Sequence, residues 1–190
     1  MPDDQTLTEE QLQLLVRRAQ EGDTAAFGEV YDHFFPSVYR YAAFRLPAEV
    51  AEDTVADIFV KAWEKLDSYK SHRGVPFAAW LFRIARHAVI DVYRSQRGYE
   101  EIPETIEDTD VFNQAEHVTV RRDRIRIVRA AMDKLPRRYR EILLLTFVSE
   151  LPHSAVAQLL NTSEGSVRIL KMRALRKLED FLPPDLGFPA

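Results

Sequence analysis

The chain has 190 residues, 46% of them hydrophobic and 29% charged, which suits one globular domain of ordinary size or two small ones. It has no cysteine, which excludes a disulfide framework, thiolate metal sites and a cysteine nucleophile. The net charge of −4 is a small remainder of 26 basic and 30 acidic side chains, so sign and position matter more than the total.

In chain order, Thr8 and Gln11 have the spacing of a capping box that opens a helix through Leu12, Leu15 and Val16 to Ala19. Gly22-Asp23 closes it, and Asp23 or Thr24 caps a second helix carrying Phe27, Val30, Tyr31, Phe34 and Phe35. Pro36 is expected to interrupt that helix, with Val38, Tyr39, Tyr41, Ala42 and Phe44 continuing the pattern to Leu46-Pro47. A third helix spans about Pro47 to Leu66, with Val55, Ile58, Phe59, Ala62, Trp63 and Leu66 at helical spacing. Asp67 to Pro76 has turn chemistry and no period, so it reads as a loop. A fourth helix runs from Phe77 to about Arg97, apolar along Trp80, Leu81, Ile84, Ala85, Ala88, Val89 and Val92, and Gly98 ends it.

Residues 99–117 hold seven acidic and no basic side chains, few apolar ones and Pro103. They read as a flexible linker and the domain boundary. Residues 118–182 reverse the sign, with 14 basic against 7 acidic side chains, and carry the period of four more helices. The expected fold is therefore all-α. A first helical domain covers 8–98, the acidic linker 99–117, and a second helical domain 118–182. A basic block behind an acidic one points to nucleic acid, although charge blocks are also ordinary solvated faces.

The second domain carries the sharper motif. In HSAVAQLLNTSEGSVRILKMRALRKL, two short helices flank Asn161-Thr162-Ser163. Ala157 is small where two helices cross, and Asn161 can take the left-handed conformation a tight turn needs. Ser163 can cap the second helix, and Val167 and Leu170 can pack back on the first. This is the spacing of a DNA-binding helix-turn-helix, with Arg168, Lys171, Met172, Arg173 and Arg176 facing outward. The plainer alternative is a helical hairpin with a basic face.

These residues resemble a known family. LPRRYREILLLTFVSELPHSAVAQLLNTSEGSVRILKMRALRKL is similar to domain four of bacterial sigma factors. AFGEVYDHFFPSVYRYAAFRL, AEDTVADIFVKAWEKL and FAAWLFRIARHAVIDVYRSQR are similar to domain two. With no other domain between them, the chain resembles the two-domain extracytoplasmic-function group over about residues 10–180.

The resemblance implies a set of sites. Asp53, Asp57, Phe59, Lys61 and Trp63 match the helix that docks on the clamp of core RNA polymerase. Asp53, Ala56, Asp57 and Val60 share one edge by spacing, Ala56 stands where the family usually has glutamine, and Phe59 and Trp63 are equally candidates for the core. Lys70, Ser71, His72 and Arg73 match the loop, and Arg83, Arg86, His87 and Arg94 the helix, that capture the minus-ten element as a single strand. His87 replaces an asparagine there, and Asp91 with Arg94 is either part of that signature or a local ion pair. Ser163, Glu164, Ser166, Arg168, Ile169, Lys171, Met172 and Arg173 match the minus-thirty-five reader, where Ile169 and Met172 could meet thymine methyls or an inhibitor. The linker is implied to thread polymerase channels, or it merely solubilises.

The implied function is that of a promoter-specificity subunit with partners in core RNA polymerase, promoter DNA and an anti-sigma factor. A different class of DNA-binding regulator, with a sensing or dimerising first half, is the alternative. An enzyme is not expected: His33, His72, His87, His117 and His153 are scattered, and there is no phosphate-binding glycine loop or nucleophile motif. No cofactor or metal is expected. No apolar run reaches the ~18–20 residues that span a bilayer, and the acidic start lacks a signal-peptide pattern, so the expected location is the cytoplasm.

Overall fold

The computed structural model describes residues 7–70, 74–97 and 118–183. These form eight α-helices and no strand. The helices are α1 (Glu9–Gln20), α2 (Thr24–Arg45), α3 (Ala48–Glu64) and α4 (Phe77–Arg97), then α5 (Val118–Asp133), α6 (Arg137–Leu143), α7 (His153–Leu159) and α8 (Glu164–Glu179). The expected linker, the loop residues 71–73 and Gly98 lie outside the described residues.

Local chemistry sets the boundaries. Thr8 and Gln11 form both halves of the capping box of α1. Gly22 has φ 95°, a left-handed value that frees the chain to turn before Asp23 caps α2 through the Ala26 amide at 3.1 Å. The expected break at Pro36 does not occur: α2 runs unbroken from Thr24 to Arg45. Pro36 removes one amide donor, but its ring sits on the exposed face. Val30, Phe34, Val38, Tyr41 and Ala42 bury a stripe across it, and their packing against α1, α3 and α4 holds the helix straight through. The expected loop after α3 also gains structure, because Leu66–Ser68 make a 3-10 turn that seats Tyr69 in the core against Phe77. Trp80 packs half-buried against Tyr69 and Phe77.

The second domain packs α5 to α8 around Met132, Leu135, Ile142, Leu144, Leu145, Val156, Val167 and Ala174. Leu144–Val148 continue α6 as a π-helical turn, with the Ser149 amide bonded to the Leu144 carbonyl at 2.8 Å and the Leu151 amide to Leu145 at 3.0 Å. Arg140 ties the corner between α5 and α6 by donating to the carbonyls of Met132 and Leu135 at 3.0 and 3.3 Å, and to that of Asp133.

The two domains are in contact. Helix α4 lies on α7, and α2 lies on the π-turn.

Candidate polymerase and nucleic-acid interfaces

Helix α3 separates its faces cleanly. Thr54, Val55, Ile58, Phe59 and Ala62 face the core, while Asp53, Ala56, Asp57, Val60, Lys61 and Trp63 are exposed. Among the described residues, no ion pair engages Asp53 or Asp57, so the edge offers two free carboxylates beside apolar Val60. The two aromatic candidates part company. Phe59 is 5% exposed and packs on Tyr31 at 4.5 Å, so it supports the surface from below and presents little to a partner. Trp63 is 38% exposed and meets Phe27 edge-on at 4.9 Å, so part of it stays available to a partner.

Helix α4 carries Arg83, His87, Asp91 and Arg94 as one exposed stripe, spaced by three and four residues. Among the described residues no ion pair joins Asp91 to Arg94, so the local-pair reading falls away. Lys70, at the mouth of the loop, is exposed, whereas Ser71, His72 and Arg73 lie outside the described residues. Arg86 does not join this stripe. Its guanidinium turns to the second domain, 2.9 Å from Glu141 and 3.3 Å from the Leu159 carbonyl.

The helix-turn-helix has the expected geometry. Asn161 has φ 50°, the left-handed value that the turn demands. The Thr162 amide returns to the Ala157 carbonyl at 2.9 Å, and Ala157 is buried at the crossing. The Ser163 hydroxyl accepts from the Ser166 amide at 3.2 Å and pairs with the Ser166 hydroxyl at 3.0 Å. Both hydroxyls are thus engaged in the cap of α8. Val167, Ala174 and Leu178 are buried, which turns Arg168, Ile169, Met172 and Arg173 outward. Ile169 and Met172 are 50% and 47% exposed. Arg168 rests 3.8 Å from Glu164, one turn back, and Lys171 lies over the exposed Phe147 ring at 5.3 Å.

Two family models match the chain, Sigma-70 region 2 over residues 30–99 and Sigma-70 region 4 over residues 125–178. The ECF RNA polymerase sigma factor SigD of Mycobacterium tuberculosis is 30% identical, over 92% of this chain and 85% of its own. The chain belongs to the ECF RNA polymerase sigma factors. A further relative, BldN of Streptomyces coelicolor, is 31% identical over 90% of this chain, and the match spans 66% of BldN's length. Among solved structures, CnrH in complex with the cytosolic domain of CnrY has a TM-score of 0.66 and 28% identity, covering 88% of this chain and 94% of that one. The sigma factor RpoE of Bartonella quintana, solved with the anti-sigma factor NepR, shares the fold at a TM-score of 0.58 and 21% identity.

In this sigma factor the seam between the domains is polar and specific. Glu141 of α6 is 7% exposed. Its Oε1 accepts from Arg86 Nε at 2.9 Å and from the Tyr41 hydroxyl at 3.2 Å, while its Oε2 is ion-paired to Arg45. Burial pushes the Tyr41 hydroxyl well above the usual tyrosine range, so it stays a neutral donor. Arg40 donates to the Val148 carbonyl at 2.6 Å and to Glu150 at 2.8 Å. Arg129 reaches back from α5 to the Ala43 carbonyl at 3.2 Å and lies over the Phe44 ring. Arg40, Arg45 and Glu141 carry no sequence signal, and Tyr41 shows only as one apolar position of α2. Their partners lie about a hundred residues away, beyond any local period.

Proposed function

We propose that this sigma factor divides promoter-specific initiation among three surfaces. The exposed edge of α3, through Asp53, Asp57, Lys61 and Trp63, docks on core RNA polymerase. Lys70 and the α4 stripe Arg83, His87 and Arg94, together with Ser71, His72 and Arg73, hold the minus-ten element. The outer face of α8, through Glu164, Arg168, Ile169, Lys171, Met172 and Arg173, reads the minus-thirty-five element, with Ser163 and Ser166 setting its N-terminal turn. The chain contributes no covalent chemistry. It works beside the polymerase in the cytoplasm, and an anti-sigma factor, of the kind that NepR is to RpoE of Bartonella quintana, restrains it. The first and last domains correspond to residues 8–98 and 118–182.

The observation that carries this reading is the separation of three solvent-facing surfaces on one chain. Each has the charge its partner needs: carboxylates on α3, and guanidinium groups on α4 and α8. Run-off transcription with core polymerase tests it. The parent is expected to start at discrete sites, and Asp57→Arg to abolish promoter-dependent transcripts while leaving the thermal melt in place. Transcripts of unchanged yield from Asp57→Arg would remove the α3 assignment.

A further inference from the structure

Three arginines of the first domain, Arg40, Arg45 and Arg86, spend their donors on acceptors of the second domain: Val148, Glu150, Glu141 and Leu159. Their geometry around Glu141 is that of an oxyanion site. Two guanidinium groups and a neutral hydroxyl converge on one carboxylate. Guanidinium forks bind carboxylate and phosphate oxygens in the same way. The carboxylate does not saturate the site, because the buried Nε of Arg45 has no acceptor. A phosphate offers more oxygens than a carboxylate does. Arg86 stands three residues after Arg83 and one before His87, so the site lies beside the exposed basic stripe of α4.

The closed arrangement also conflicts with the task. Elements at minus thirty-five and minus ten lie about 25 base pairs apart, on the order of 80 Å along B-DNA. In the closed molecule Arg86 of the minus-ten helix touches Leu159, at the end of the first helix of the helix-turn-helix. The two domains must therefore part before both elements are engaged, and parting removes Glu141 from Arg45 and Arg86.

We propose that Arg45 and Arg86 form a binding site for a DNA backbone phosphate, and that Glu141 occupies this site in the closed molecule as an internal surrogate for that phosphate. The proposal rests on the assignment of α4 to nucleic acid. Closure and strand capture then compete for the same donors, so the free sigma factor holds single-stranded DNA weakly until the domains separate.

The test uses the full chain and a labelled single-stranded oligonucleotide, with affinity measured across a range of salt. Cysteines introduced at exposed Glu52 and Glu179 report the distance between domains, and no native cysteine interferes. Glu141→Gln is expected to lengthen that distance and to steepen the dependence of log affinity on log salt by about 0.7, the slope of the one phosphate contact released. Adding Arg86→Gln is expected to return most of that gain. Glu150→Gln, at an exposed position on the rim, is expected to shift both readouts in the same direction by less, which keeps the test decisive if Glu141→Gln folds poorly. Glu10→Gln, exposed on α1, controls for the lost negative charge and is expected to change neither. An unchanged distance, or a longer distance with an unchanged salt slope, overturns the proposal. Run-off transcription by the parent stands apart from both readouts: discrete transcripts uphold the sigma assignment even where the slope does not move.

Discussion

Arg168 and Ile169 are neighbours on α8 and suit different parts of a base pair. A guanidinium can span two acceptors of guanine, whereas an isoleucine can only touch a methyl. Arg168→Ala is therefore expected to cost about 1–3 kcal/mol at one position of the minus-thirty-five element, read from competition between promoter variants for holoenzyme. Replacing thymine by uracil in that element deletes only methyl groups. It is expected to weaken the parent by about 0.8 kcal/mol per methyl met by Ile169 or Met172, and to leave an Ile169→Ser, Met172→Ser double variant unmoved. Asp133 makes a separate prediction about pH. Burial raises its pKa against the opposing pull of Arg140 and Arg129, so the folded chain holds its proton more tightly than the unfolded one. That contribution to stability is complete below the ordinary value of 3.8 and is lost as pH rises through the higher folded value. Asp133→Asn is expected to flatten the denaturation midpoint across that acid window, and a profile identical to the parent's would assign the dependence elsewhere. Ser163 and Asn161 were legible in the sequence because caps and left-handed turns are decided within four residues. Glu141 was not, since the residues that give it meaning, Arg45 and Tyr41, are 96 and 100 positions away.

Pro36 shows where local rules yield to packing. Proline inside a helix costs about 3 kcal/mol relative to alanine, yet the stripe from Val30 to Ala42 stays helical across it. The buried partners on α1, α3 and α4 outweigh one lost donor, and no single-sequence period reveals them. Pro36→Ala is expected to stabilise the fold by about 2 kcal/mol, after allowing about 1 kcal/mol for the freer unfolded chain, as read from chemical denaturation. An unchanged or lower midpoint would mean that the ring contributes packing of its own. The turn of the helix-turn-helix gives the complementary case. Asn161→Gly is expected to be neutral or stabilising, and Asn161→Ala to cost about 1 kcal/mol, because its φ of 50° penalises a β-carbon. The π-turn at Leu144–Val148 escaped the sequence for another reason. Its apolar run ILLLTFV keeps a helical period, and nothing local marks the wider winding that leaves the Val148 carbonyl to Arg40.

At the scale of the molecule, the helices and their division into two bodies could be read from periodicity and charge, but their closure could not. The seam joins groups that are each ordinary surface residues in sequence. Its energetics are finely balanced. Desolvating a carboxylate and two guanidinium groups costs about as much as their pairing returns. Among the described residues, three buried side-chain atoms, Arg45 Nε, Arg129 Nε and Ser149 Oγ, find no acceptor or donor, and all three belong to segments that meet at the seam. Each such atom costs about 1–3 kcal/mol, so the contact is built to hold and also to part. The parent is expected to melt in one calorimetric transition, and an Arg45→Ala, Glu141→Ala double variant in two, one for each domain. A single transition in both would show that the seam adds nothing to cooperativity.

Arg140 and Glu141 are consecutive residues that serve opposite sides of α6. The arginine ties the corner of its own domain through three backbone carbonyls, and the glutamate reaches into the other domain. Adjacent codons should therefore behave as different genetic classes. Changes at 140 are expected among recessive, temperature-sensitive alleles that lower the level of the protein. Changes at 141 are expected among dominant alleles that raise expression from the target promoters without an inducing signal. A selection for constitutive reporter activity, sequenced across this helix, would recover hits at 141 and pass over its neighbour.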